Sequence, residues 1–443
     1  MKMKHYLLTF VFLLIAATGY AETGDTDCIV ARTLTEGGFW RYDFHYTTVD
    51  IDNKTPIVLS ASIFMSTAAH DKEVTPKGLV LMNHYTITRE ADAPTNVTEY
   101  MTLEGFVSFN TNCFVIESDG IGFGLTKDRK QPYLLGRVSA RNNIDAFIAG
   151  KKLLEEEGYS FGSTVFNLGY SQGGHTGMWV SRLVEEGYRA DELPVIDYNI
   201  LGGGPYDIYS HYKYLLETGK SSYPVALPLI LYGLVAEGNL VTVPEVFSEQ
   251  MAAKLPEWFD TKNYETVAIN DSIYANFGDT IDGSVAMTQI TTPAFIDSSS
   301  TLMQEKLIPK MKENSLVYDD WTPTKTLKML FFHSPQDEVV PYLNLESLEA
   351  FLDKQGYANY AIRKDFETPH TITGSLYALY AALEIVDYET TGITDVRKSS
   401  DKADQRIFRL DGRQVPYSGT MEEAVRNLAP GIYIIGRKTV VVK

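Results

Sequence analysis

Apolar positions along this chain follow two spacings, and the places where one gives way to the other divide it into elements. Residues 40–49, Trp-Arg-Tyr-Asp-Phe-His-Tyr-Thr-Thr-Val, alternate, and residues 57–64 do so more loosely. With Asp50 to Pro56 as the turn, they predict an opening antiparallel hairpin. Residues 78–83, 113–118 and 165–168 are short, continuous apolar runs, the kind that parallel strands covered on both faces require. Three more strands are expected at 194–201, 325–333 and 360–366. Helical spacing runs through 140–157, 176–184, 343–355 and 373–386. Strands alternating with helices predict an α/β fold with a mainly parallel sheet, whose ligands bind at the carboxyl ends of the strands.

The alternation is interrupted from about Pro205 to Pro323 by a mostly helical pattern broken at Pro224, Pro228, Gly233 and Pro244. An insertion at that point would lie over the strand ends, as a cap. Its most apolar stretch, 224–235, is too short to span a bilayer and is expected to pack on the core, to line an apolar pocket, or both. Two terminal segments have a different character. Lys2 and Lys4, the apolar run Tyr6 to Ala17 and the small-x-small site Gly19-Tyr20-Ala21 predict an export leader over 1–21. The mature chain would begin near Glu22, in the periplasm, on the cell surface or outside the cell. Residues 391–443 are expected to be a polar linker followed by a small β segment, leaving 22–390 as the main domain with its cap at about 205–323.

The net charge of −18 over 443 residues argues against nucleic acid or an anionic membrane as an electrostatic partner. The chain has two cysteines, Cys28 and Cys113. Export permits a disulfide between them, which is the expectation; the other reading has Cys113 as a buried thiol of a core strand.

The chemistry is concentrated in one place. Gly169-Tyr-Ser-Gln-Gly173 follows an apolar run and opens a helical pattern, the strand–turn–helix context of a nucleophile elbow, with Ser171 as the candidate nucleophile. A serine hydroxyl needs a base to take its proton and a carboxylate to orient that base. In chain order, Asp337 follows one apolar strand and His370 the next expected strand, so both fall at the same sheet edge as Ser171. Glu338 is the alternative acid. His175 and His333 are the alternative histidines, but the first falls inside the helix after the elbow and the second precedes the acid. Oxyanion donors are expected from the backbone of Gln172 and from the loop Asn83-His84-Tyr85-Thr86. No metal-ligand spacing and no phosphate-cradling glycine loop occurs, and no cofactor is expected.

These residues together resemble the α/β-hydrolase superfamily and, within it, the secretory lipase family of fungi and bacteria. Besides the elbow, the likeness rests on 48–62, on Asp119-Gly-Ile-Gly-Phe-Gly124, on Gln131-Pro-Tyr-Leu-Leu ahead of a long helix, and on the large helical cap. It covers about Phe39 to Val386. The resemblance implies Ser171 as nucleophile, Asp337 as acid and His370 as base. Relatives often carry glycine after the histidine of the oxyanion loop, where this chain has Tyr85; the second donor is therefore Thr86 or Tyr85, with Thr86 expected. The C-terminal segment, through Phe408-Arg-Leu-Asp-Gly-Arg-Gln-Val and 428–435, is similar to sorting tails of exported Bacteroidetes proteins, which would make export machinery a partner. A small accessory β-domain is the alternative. Taken together, these features predict an exported serine hydrolase of small-molecule or lipid carboxylic esters, a lipase or carboxylesterase. The alternatives are an esterase for carbohydrate or phenolic esters, a serine exopeptidase, and a non-catalytic surface binding protein on the same fold.

Overall fold

The computed structural model describes residues 27–98, 102–278, 284–324 and 326–388, with short stretches at 407–409, 415–416, 424, 428–429, 431–435 and 438–442. The expected leader at 1–21 and linker at 391–406 lie outside the described residues.

Strands β1 (Cys28–Leu34), β2 (Phe39–Val49) and β3 (Pro56–Ser66) form an antiparallel meander. The expected hairpin is its second half, closed by the Asp50 N–H on the Thr55 carbonyl at 2.8 Å; β1 has no counterpart among the expected strands. Strands β4 (Gly78–Asn83), β5 (Phe114–Ser118), β6 (Thr164–Tyr170), β7 (Tyr198–Gly202), β8 (Met329–Phe332) and β9 (Tyr360–Arg363) are parallel to one another. In space the order is β1-β2-β3-β5-β4-β6-β7-β8-β9. This is an α/β-hydrolase arrangement, with β6 and its Ser171 elbow near the centre of the sheet.

The continuous apolar runs are explained by cover on both faces. Leu79, Leu81, Phe114 and Ile116 pack with Ile144, Phe147 and Trp179 of the helices Gly136–Glu156 and Gln172–Glu185. Val80, Met82, Val115 and Phe166 pack with Phe106, Leu376 and Tyr380 of the helices Leu103–Thr111 and His370–Asp387. Neighbouring residues on each strand therefore serve opposite cores.

Between β7 and β8 the chain is mainly helical, with a two-residue strand pair, Lys220–Ser221 and Val285–Ala286. Helix Ala226–Ala236 carries the apolar stretch and is buried almost all round, from Leu227 to Leu234. Pro228 lies in its first turn, where a missing N–H costs no helical bond. No helix among the described residues is long and apolar enough to cross a membrane. Near the C-terminus, Ile407–Arg409, Gly431–Ile435 and Lys438–Val442 form a separate antiparallel three-stranded sheet.

The expected Cys28–Cys113 disulfide is corrected by the strand order, and no such bond is present. Cys28 starts β1 and Cys113 directly precedes β5, with β2 and β3 between them, a lateral separation of about 14 Å at ordinary strand spacing. A disulfide needs Cα atoms within about 7 Å. Cys113 is instead a buried thiol, pushed up to about 11 by desolvation.

Candidate active site

The elbow is held by backbone contacts that admit no side chain. A Cβ on Gly173 would lie 2.1 Å from the carbonyl oxygen of Asn83, and one on Gly169 would lie 2.1 Å from that of Gly173. This close approach lets the helix Gln172–Glu185 start directly on top of β6. Ser171 itself takes φ 58° and ψ −121°, a conformation that costs a non-glycine residue on the order of 1–3 kcal/mol and that the tight turn imposes. Its N–H bonds the Gly202 carbonyl at 2.9 Å, which fixes the elbow to the neighbouring strand.

His370 and Asp337 reach the same point from the next two strand ends. His370 is the first residue of the helix His370–Asp387, and the Tyr170 hydroxyl donates to its carbonyl at 2.7 Å. Its Nε2 is 2.9 Å from Ser171 Oγ and its Nδ1 is 2.6 Å from Asp337 Oδ2. A carboxylate can only accept, so Nδ1 carries the proton and Nε2 presents its lone pair to the serine hydroxyl. Asp337 is held in turn by the N–H groups of Val339 at 3.0 Å and Val340 at 2.8 Å, both on Oδ1. All three residues are buried, and Ser171 and His370 reach the cavity above them.

The alternative residues are engaged elsewhere. Glu338 accepts the main-chain N–H of His370. His333 donates from Nε2 to the Val340 carbonyl at 2.9 Å and stands 3.5 Å from Asp337 Oδ2, behind the acid. His175 is fully buried; its Nε2–H donates to the Asn314 carbonyl at 2.8 Å, and desolvation holds it down at about 4, so it stays neutral.

Above Ser171 and His370 lies a cavity of about 390 Å³. Tyr85 and Thr86 both line it, as do Val339 and Val340 of the acid loop, and the Thr86 hydroxyl is bonded to Tyr133 Oη at 2.9 Å. The Gln172 backbone belongs to the first turn of its helix, whose N–H groups have no intrahelical partner. The Gln172 side chain lies in a separate polar space of about 20 Å³ behind the loop, with His84 and Thr176. The cap contributes Ala226, Leu229 and Ile230 as an apolar wall.

Several lining residues fall outside the set expected from sequence. Tyr133 and Leu134 belong to the Gln131-Pro-Tyr-Leu-Leu segment, whose unusual pattern was the available signal; Leu134 is held at φ 58° as it enters the cavity. His211 has no local signature. Arg89 at the rim pairs with Asp92 at 2.5 Å and with Glu265 of the cap at 2.6 Å. The Asp119-Gly-Ile-Gly-Phe-Gly124 segment braces the loop region: Asp119 accepts from Ser60 and Thr95, and burial lifts it to about 7.

Among solved structures the chain is similar to the rice cell wall degrading esterase LipA of Xanthomonas oryzae, with 20% identity, a TM-score of 0.61, and cover of 79% of this chain and 89% of that one. A protein of Legionella pneumophila aligns with a TM-score of 0.64 at 17% identity, over 81% and 91% of the two chains. Candida antarctica lipase A in its closed state gives 0.58 at 14%, over 82% and 83%. These likenesses place the chain in the α/β-hydrolase fold. No protein-family profile matches the sequence and no curated protein does, so the secretory lipase family and the sorting tail find no support there.

Proposed function

We propose that this protein is an exported serine hydrolase that cleaves carboxylic esters through an acyl-enzyme. The observation that carries the reading is the continuous line from Asp337 through His370 to Ser171, at 2.6 and 2.9 Å, opening into a mostly apolar cavity. Ser171 Oγ attacks the ester carbonyl while His370 Nε2 takes its proton, and Asp337 stabilises the imidazolium that forms. The carbonyl oxygen gains charge in this step and is received by the backbone N–H groups of Gln172 and Thr86, or Tyr85 in place of the latter. His370 then returns the proton to the departing alcohol, and water attacking the acyl-Ser171 repeats the sequence.

The ester assignment agrees with the fold shared with an esterase and a lipase, and with a cavity that offers an acyl chain an apolar wall. The leader-like segment and the C-terminal sheet fit a protein that is exported and then sorted or retained through its tail.

A fluorophosphonate probe tests the chemistry directly. It should label the wild-type protein at Ser171 and leave Ser171→Ala unlabelled, and that variant should lose at least about a thousandfold in p-nitrophenyl butyrate turnover. Labelling at another serine, or unchanged turnover by a folded Ser171→Ala protein, would refute the reading.

A further inference from the structure

His211 lines the cavity, as do Pro205 and, from the acid loop, Val339 and Val340. Its helix, Ile208–Thr218, follows β7 and starts at Asp207, whose side chain caps the Ser210 N–H at 2.9 Å. The residue is buried, with only 5% of its surface exposed. Nδ1 is sealed inside and has no hydrogen-bond partner. The imidazole is neutral, since desolvation lowers it to about 4. A neutral ring carries one N–H, and a sealed N–H without an acceptor costs more than a sealed lone pair. The proton therefore belongs on Nε2, the nitrogen left to the cavity.

The side of the cavity matters. The departing alcohol oxygen must lie against His370 Nε2, which returns its proton, and the oxyanion must lie against the Tyr85–Thr86 loop. Asp337, which holds the His370 ring, is also the foremost charge acting on His211, so His211 belongs to the His370 side of the cavity, where the alcohol departs. The cavity is mostly apolar, and in such a site a few well-placed polar groups fix orientation and discriminate.

Resting on the ester-hydrolase reading, we propose that His211 is a specificity-determining residue whose Nε2–H donates to a hydroxyl oxygen on the alcohol part of the ester, so that preferred substrates are partial esters of diols, polyols or sugars. An alcohol without that hydroxyl leaves the buried N–H unpaired, and sites built to bond a substrate hydroxyl reject analogues that lack it.

Two esters of equal size isolate the effect: 2-hydroxyethyl butyrate and propyl butyrate differ by a hydroxyl in place of a methyl. The wild-type protein should favour the first by about tenfold or more in kcat/KM. His211→Leu should bring that ratio to about one, and His211→Gln, which keeps an N–H, should retain part of it. Each ratio is internal to one protein sample, so partial unfolding of a variant does not affect it. A purely packing role would lower both rates together and leave the ratio alone. Equal wild-type rates, or a preference that survives in His211→Leu, would overturn the proposal. So would a hydroxyl preference seen only with propyl 3-hydroxybutyrate, which places the group on the acyl side. Failure of the wild type on both butyrates and on p-nitrophenyl butyrate would strike the ester-hydrolase reading itself, whereas turnover of propyl butyrate without preference strikes only His211.

Discussion

The carboxylate of Glu338 receives the main-chain N–H of His370 at 3.0 Å, while its neighbour Asp337 receives the same residue's ring. Two adjacent acids thus hold one histidine at two points, backbone and imidazole. The Glu338 bond also places negative charge at the N-terminus of the helix His370–Asp387, where it is favourable.

The division of labour gives the first prediction. Asp337→Asn should leave the fold intact and reduce kcat by about a thousandfold or more, because the imidazole loses the partner that fixes its tautomer. Glu338→Gln still offers an oxygen to the His370 N–H and should lose less than about tenfold, in keeping with the small net worth of one hydrogen bond. Steady-state kinetics on p-nitrophenyl butyrate separates the two; similar losses in both would mean that the two carboxylates share the acid's role.

Leu229 and Leu231 are two residues apart on the helix Ala226–Ala236 but face different surroundings. Leu229 lines the cavity, whereas Leu231 is fully buried away from it. Leu229→Trp should fill part of the acyl wall and lower the octanoyl-to-acetyl ratio of kcat/KM by about tenfold, the size expected for one large step in a hydrophobic pocket. Leu231→Ala should cost about 2–5 kcal/mol of stability, seen by urea unfolding, and leave the chain-length ratio unchanged.

His175 should make stability depend on pH. Burial lowers its folded value from 6.5 to about 4, so between those limits the unfolded chain binds a proton that the folded chain does not. Stability from this group is complete above the unfolded value of about 6.5 and is lost as the pH falls toward about 4, by on the order of 3 kcal/mol. His175→Gln keeps an N–H for the Asn314 carbonyl and removes the titration. Urea midpoints at about pH 4.5 and pH 7, on either side of most of that loss, should differ less in this variant than in wild type. An unchanged difference would mean that other groups dominate.

Gly173→Ala should be severe. Its Cβ would meet the Asn83 backbone at 2.1 Å, so either the helix or the oxyanion loop must move. Misplacement of about 1 Å at a reacting centre can cost about a hundredfold, and a loss of that order in kcat is expected even in protein that still folds by circular dichroism. Full activity would show that the loop yields freely.

How much of the fold and the site is legible in the sequence depends on the range over which each feature is written. Ser171, Asp337 and His370 each come after a strand, and parallel strands deliver their ends to one edge, so local pattern suffices to bring them together. The cysteine pair fails for the complementary reason. Spacing along the chain does not reveal that β2 and β3 lie between β1 and β5. Tyr85 and Thr86 both reach the cavity, and a backbone donor leaves no mark in residue type. His211 is hidden because it meets the rest of the site only through the acid loop, which is distant in sequence. Strand β1 is short, half-exposed and mixed in character, and it is defined by its pairing with β2 rather than by its own periodicity.

Asn314, at the end of the cap, is tied to the core from several directions. Its side chain accepts the Gly136 N–H at 3.0 Å, and its carbonyl takes His175 Nε2 at 2.8 Å and Trp179 Nε1 at 3.2 Å. A Cβ on Gly136 would strike the Trp179 ring, so that joint is closed tight. The opposite margin of the cap is joined to the core as well: the Glu90 N–H donates to the Lys262 carbonyl at 2.8 Å, the Thr88 hydroxyl to the Tyr264 carbonyl at 2.8 Å, and Lys130 and Arg89 pair with Asp260 and Glu265. The cap is therefore pinned to the core at both margins. Roof and floor of the cavity are thus fastened to each other on two sides, and the gap over Ser171 is dimensioned by bonds that form as the chain folds.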